Sequence, residues 1–242
     1  MRKHISLIRS RGFSLIEIAI ALLIMGLVLG GGLSVLARQI EQQKIRDTQK
    51  TLEQAQEALL GYAANQTPPH LPCPDKTGGA GAGSANDGQE DVTVATGVCV
   101  TQDGNLPWAT LAAADVDGWG NRIHYSVNSL FSNRPPAASF SLSAVATLRV
   151  CQAAGCAAVL ANGVPAVLLS YGKNGFGAST AGGVTRAAPA SADELENTDG
   201  NNFFVSRSPA AAGAPMGEFD DIVTWLPNGL LFNRMIQAGK LP

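Results

Sequence analysis

From Phe13 to Ala37 the chain reads FSLIEIAIALLIMGLVLGGGLSVLA, 25 residues in which the one ionisable side chain is Glu17. At about 1.5 Å per residue a helix of this length covers roughly 37 Å, more than the ~30 Å hydrocarbon core of a bilayer. The segment is expected to span a membrane. Four basic residues precede it (Arg2, Lys3, Arg9 and Arg11) and no acidic ones do, so the positive-inside rule holds that end in the cytoplasm and sends everything after Arg38 across. An ordinary secretory signal would share the basic start and a small-residue site, here Val35-Leu36-Ala37, but its apolar run is usually about 7–15 residues long. It would release a soluble periplasmic binding domain, and that reading stays as the alternative from another class. Glu17 argues against it. A carboxylate within an apolar helix costs about 2.5–3.5 kcal/mol on insertion scales, so it marks a partner or a function.

The charge balance changes when the chain is divided there. The whole sequence has 17 Lys plus Arg against 19 Asp plus Glu, a net charge of -2. Without the first twelve residues 13 basic side chains face 19 acidic ones, giving -6. An acidic mature chain with 6% aromatic residues offers neither the basic surface nor the stacking residues of a nucleic-acid binder, so no nucleic-acid partner is expected. A charged fraction of 15% argues against disorder.

Beyond Ala37 the sequence turns polar without losing helix formers, and no proline occurs until Pro68. Ile45, Thr48, Leu52, Ala55, Leu59 and Tyr62 recur at 3/4 spacing and form one narrow stripe. One continuous helix from Phe13 to about Ala64 is expected. Residues 65–242 then alternate short apolar runs with Gly, Asn, Ser and Pro, the pattern of short strands and long loops. The candidate strands are 123–127, 140–150, 165–171, 203–206 and 222–226. Short helices are expected from Pro107, with Trp108 and Leu111 inward, and over 230–237. The fold class is α+β, a long N-terminal helix, transmembrane and then amphipathic, packed on a small antiparallel sheet.

All four cysteines, Cys73, Cys99, Cys151 and Cys156, lie in the exported part, so disulfides are expected. Of the three connectivities, Cys151–Cys156 as a hairpin clip and Cys73–Cys99 as a loop closure fit the spacing. His70 near Cys73 lacks a second ligand pair at zinc spacing. Gly172-Lys173-Asn174-Gly175-Phe176-Gly177 lacks the Gly-Lys-Ser/Thr order of a phosphate loop. The three histidines, His4, His70 and His124, sit in no catalytic motif, and no enzyme activity is expected.

Arg11-Gly12 followed by Phe13-Ser14-Leu15-Ile16-Glu17 and a long apolar helix resembles the processing site of type IV prepilins and type II secretion pseudopilins. The resemblance implies that a prepilin peptidase cuts between Gly12 and Phe13 and methylates the new N-terminus. It also implies that Glu17 takes the N-terminus of a neighbouring subunit as its partner during filament assembly. The domains are then a leader (1–12), a transmembrane half-helix (13–37), an amphipathic half-helix (38–64) and an extracytoplasmic globular domain (65–242). The implied partners are other pilin or pseudopilin subunits, the peptidase, an inner-membrane assembly platform and the inner membrane itself. The same resemblance admits a minor type IV pilin, because the globular part of 178 residues is large for a major pseudopilin.

Two further stretches are similar to the major pseudopilin. Asp117-Gly-Trp-Gly-Asn121 matches that family's Asp-Pro-Trp-Gly-Asn turn, with Gly118 in place of proline. The stretch from Ser170-Tyr-Gly-Lys-Asn174 through Glu196-Asn197-Thr-Asp199 to Asp220-Asp221-Ile-Val-Thr-Trp225 resembles the family's calcium loop. By that resemblance Asn174, Glu196, Asn197, Asp199, Asp220 and Asp221 are candidate calcium ligands, oxygen donors of the kind calcium takes in sets of about six to eight. The sequence departs from the pattern where Asn174 replaces an Asp and where residues 200–219 intervene. Asx turns capping their own backbone are the alternative.

Overall fold

The computed structural model describes residues 14–242, and the side chains of all of these except 28–35. Helix α1 runs Leu15–Asn65. The described residues up to 43 and residues 44–242 form separate units. In the first, Leu15, Ile16, Leu22, Leu23 and Leu27 are exposed side chains on a helix that buries none of them. Among the described residues no helix is long and apolar enough to cross a membrane. The expected span includes Phe13 and the side chains of 28–35, which lie outside the described residues.

In the second unit α1 continues with its amphipathic stripe packed inward. Thr48, Leu52, Ala55 and Leu59 are buried, joined by Leu60 and Ala63, while Gly61 has open space beside it. The strands are β1 (Val92–Thr93), β2 (Val98–Cys99), β3 (Asp103–Asn105), β4 (His124–Val127), β5 (Leu148–Cys151), β6 (Val159–Val164), β7 (Ala166–Ser170), β8 (Phe203–Val205) and β9 (Ile222–Leu226). The helices are α2 (Trp108–Leu111), α3 (Ser129–Ser132), α4 (Ala192–Glu196) and α5 (Asn228–Gln237). Strands β3-β4-β7-β9 form an antiparallel sheet and β6-β5-β8 a smaller one, with β1-β2 as a separate ribbon.

The pleat of the larger sheet decides which core each residue joins. Tyr125 and Val127 of β4, Ala166 and Leu168 of β7 and Leu226 pack with the α1 stripe. Val167, on the opposite face of β7, packs with Leu148, Val150, Val164 and Phe204 of the smaller sheet. Covered on both faces, β7 is buried along its whole length, which is why its sequence is a continuous apolar run without alternation.

Three sequence expectations change. The expected strand over 140–150 shortens to β5, because Phe140 and Ala146 serve the α1 core from irregular backbone. Strand β8 pairs with β5 in parallel, so the sheets are not wholly antiparallel. Trp108 does not turn inward; it is partly exposed and lies under the Arg122 guanidinium, 3.7 Å from its ring centre. The hairpin clip at Cys151–Cys156 implied a strand after Cys156, and β6, antiparallel to β5, is that strand. Strands β1, β2 and β3 and helices α3 and α4 were not expected; all but α4 are four residues or fewer, too short for periodicity to register.

Both disulfides have the expected pairing, Cys73–Cys99 and Cys151–Cys156. Cys73–Cys99 closes 26 residues of chain around the 78–88 loop, a constraint worth about 3–4 kcal/mol in the chain-entropy account. The double variant Cys73→Ser/Cys99→Ser is expected to lose that much, read as a lower urea midpoint.

The Asp117–Asn121 turn docks on α1. Gly118 donates its N–H to the buried Thr48 hydroxyl at 3.0 Å, and a Cβ at Gly118 would stand 2.7 Å from the Lys44 carbonyl oxygen. A proline there could not make that hydrogen bond, and the space for its ring is occupied. Gly118→Pro is expected to cost about 1–3 kcal/mol through overpacking and the orphaned Thr48 hydroxyl. An unchanged melting temperature would contradict this docking.

Candidate functional site

Two groups of residues carry the sequence expectations. The first is the N-terminal motif. Gly12 and Phe13 lie outside the described residues. Ser14 precedes α1, its carbonyl accepting from the N–H groups of Glu17 and Ile18. Glu17 stands in the first helical turn, where the exposed N–H groups favour negative charge. Its side chain is exposed and has no partner among the described residues, and the apolar side chains around it are exposed too. In an isolated chain this is a carboxylate and an apolar surface both in need of cover.

The second group is a buried carboxylate cluster. Glu194 on α4 and Asp220 and Asp221 before β9 bring ligand-capable oxygens within 4.8 Å of one another. Glu194 and Asp221 are buried. Asn174, in the turn after β7, donates from its side-chain amide to Glu194 Oε1 at 3.0 Å and from its backbone N–H to Asp220 Oδ2 at 2.8 Å. The Asp220 N–H also donates to Glu194 Oε1, at 3.1 Å. Asn197 donates to Asp221 Oδ2 at 2.8 Å, while its side chain exchanges hydrogen bonds with the Val205 backbone and so covers the outer edge of β8. Gly172, at φ +57°, lets the 171–175 turn lie directly on Asp220, where a Cβ would collide with its oxygens.

Oxygens remain unmatched in this cluster. Asp220 Oδ1 and Asp221 Oδ1 are buried with no hydrogen-bond partner among the described residues. Arg207 is the basic side chain whose charge reaches Glu194, but it is engaged by Asp193 at 2.6 Å. Burial pushes the Asp220 carboxyl up to about 6, helped by the charges of Glu194 and Glu218. Burial also raises Asp221 well above the usual carboxylate range and Glu194 above its own. Three carboxyl groups held together and desolvated favour either protons or a cation. The donors are all oxygen and include two orphaned atoms, a set that fits calcium better than a soft transition metal.

Of the residues expected from sequence, the structure brings together Asn174, Asn197, Asp220 and Asp221. Glu196 and Asp199 stand apart from them, both accepting from the Asn201 side-chain amide, at 3.1 and 2.6 Å. Glu194 was missed. Its position was readable only once 192–196 is a helix: Glu194 and Asn197 are then three apart and share a face, and Glu196 faces elsewhere.

A long N-terminal helix against small, mainly antiparallel sheets is a pilin-like arrangement. Residues 7–33 match the family model described as the prokaryotic N-terminal methylation motif. The chain therefore carries a prokaryotic N-terminal methylation motif, the prepilin-type motif of type IV pilin-like proteins and pseudopilins. No curated protein and no solved structure matches the chain.

Proposed function

We propose that this chain is a structural subunit of a type II secretion pseudopilus. It is held in the inner membrane as a single-pass precursor by residues 13–37, cut after Gly12 and methylated on Phe13 by a prepilin peptidase. It then assembles through α1 on an inner-membrane platform, its globular domain in the periplasm, and filament growth drives protein secretion. The role is mechanical and not enzymatic. The observation that carries the reading is the methylation motif joined to a helix whose described apolar side chains from Leu15 to Leu27, and Glu17 among them, are exposed. The Glu194/Asp220/Asp221 cluster supports the secretion reading over its neighbours, and we assign it as a calcium seat in which Asn174 and Asn197 hold the carboxylates in place.

A minor type IV pilin is the second reading, favoured by the size of the globular part. The mature N-terminus separates the filament readings from a released binding domain. Mass spectrometry is expected to find N-methylated Phe13; a chain beginning at Arg38 would sink both filament readings. Secretion of a reporter substrate in a strain carrying a deletion, with pili scored in parallel, separates the first reading from the second.

A further inference from the structure

We propose that the globular domain binds the ring of a neutral sugar in the cleft between β3, β4 and the 177–185 loop. The cleft has a volume of about 170 Å³, below the ~300–1,000 Å³ of sites for drug-sized ligands, which restricts the occupant to about one ring. Asp103 on β3 and His124 on β4, set diagonally across the strand pair (Asp103 faces Ser126 and His124 faces Asn105), form its polar wall, with His124 Nε2 2.8 Å from Asp103 Oδ1. With the imidazole proton on Nε2 facing the carboxylate, Nδ1 is left as an acceptor. Neither Nδ1 nor Asp103 Oδ2 has a hydrogen-bond partner among the described residues.

The Tyr171 ring lies edge-on to the imidazole, 5.6 Å between centres, and its hydroxyl is already committed to the Asn197 carbonyl. The ring is almost wholly buried and forms part of the floor of the cleft. The hydroxyls of Thr77, Ser179 and Thr185 also line the cleft and have no side-chain partner among the described residues. Thr77 and Thr185 are exposed and flank the mouth.

The chemistry of this lining selects among ligands. No Lys or Arg lines the cleft, and its one charged wall is a carboxylate, so phosphates, nucleotides and acidic sugars are repelled. No aliphatic side chain lines it either, which disfavours lipid tails. A neutral sugar ring brings hydroxyls that both donate and accept, matching the unpartnered acceptors and rotatable hydroxyls of the lining. Nothing in this inference depends on the pseudopilus assignment or on calcium.

Saturation-transfer NMR on the full chain in detergent tests it, with the methyl glycosides of glucose, galactose, mannose and N-acetylglucosamine as probes and methylamine and inorganic phosphate as controls. At least one glycoside is expected to bind in the ~1 mM range. Asp103→Asn is expected to weaken it at least about tenfold, by removing the charged acceptor. Thr185→Trp, a surface change at the mouth, is expected to abolish it while leaving the melting temperature unchanged. No transfer to any of the four glycosides overturns the proposal, as does transfer that survives Thr185→Trp. Displacement of the glycoside by methylamine would overturn it too, showing a site for a cation.

Discussion

Replacing Glu17 with alanine is expected to leave cleavage after Gly12 intact and to reduce sedimentable filaments by at least about a hundredfold. The carboxylate is exposed in the isolated chain; in the proposed filament it is buried among neighbouring apolar helices and takes the methylated amino group of another subunit as its partner. Removing one member of a buried ion pair leaves the other charge desolvated and alone, at a cost of about 3–5 kcal/mol. Each subunit in a filament repeats that loss, so assembly responds more steeply than a single contact would. Quantifying N-methylated Phe13 by mass spectrometry beside pelleted filaments separates the two steps. Normal filaments from Glu17→Ala would refute the pairing, and loss of methylation would move the role of Glu17 to processing.

Calcium is expected to raise the melting temperature of the protein by about 5–10 °C at pH 7.5 when free calcium is about a hundred times its dissociation constant. That concentration corresponds to about 2.7 kcal/mol of linkage, and a unit of this size shifts by about 2–4 °C per kcal/mol. Glu194→Gln should abolish the shift, because it removes the carboxylate that sequence alone did not reveal. Asp221→Asn should do so as well and, in chelator, should leave the protein more stable than the parent, since a neutral amide relieves three crowded carboxyls. Loss of stability in both variants with and without calcium would mark the cluster as purely structural.

The pH dependence in chelator has a definite sign. Burial raises both Asp75 and Asp220 to about 6, so the folded chain holds protons that the unfolded chain has released. Their contribution is fully present below about pH 4 and is lost as pH rises through about 6. Stability without calcium should therefore fall between pH 4 and 7, by on the order of 3–4 kcal/mol, most of it from the buried Asp75 once solvent screening at the partly exposed Asp220 is allowed for. Saturating calcium should remove the share due to Asp220 and leave that of Asp75, which accepts from the Asn86 and Gly88 N–H groups far from the cluster in sequence. A chemical-denaturation series across pH with and without calcium reads both.

The features legible in the sequence are those set by neighbours along the chain. The apolar run with its lone carboxylate, the methylation motif and the 3/4 stripe on α1 are local patterns that any environment must satisfy. Strand β9 was readable for a similar reason, since a run bounded by Asp221 and Pro227 has little freedom in where it begins and ends. The Cys151–Cys156 pairing follows from five residues of separation.

What only the tertiary structure decided is which distant oxygens meet. Glu194 and Asp220 lie 26 residues apart and touch because Asp220 donates its backbone N–H across that gap, whereas Glu196, two residues from Glu194, turns to Asn201. Composition and spacing treat these two glutamates alike. The sugar cleft has the same origin, for the register of β3 on β4 sets Asp103 and His124 diagonally across the pair and within hydrogen-bond reach, and sheet register is fixed by the packing of whole faces. Sequence by itself therefore determined the methylation motif and the apolar run with its lone carboxylate, because their chemistry is written within a few turns of one helix. The sites of the globular domain arise from long-range pairing, which becomes definite only when the core closes.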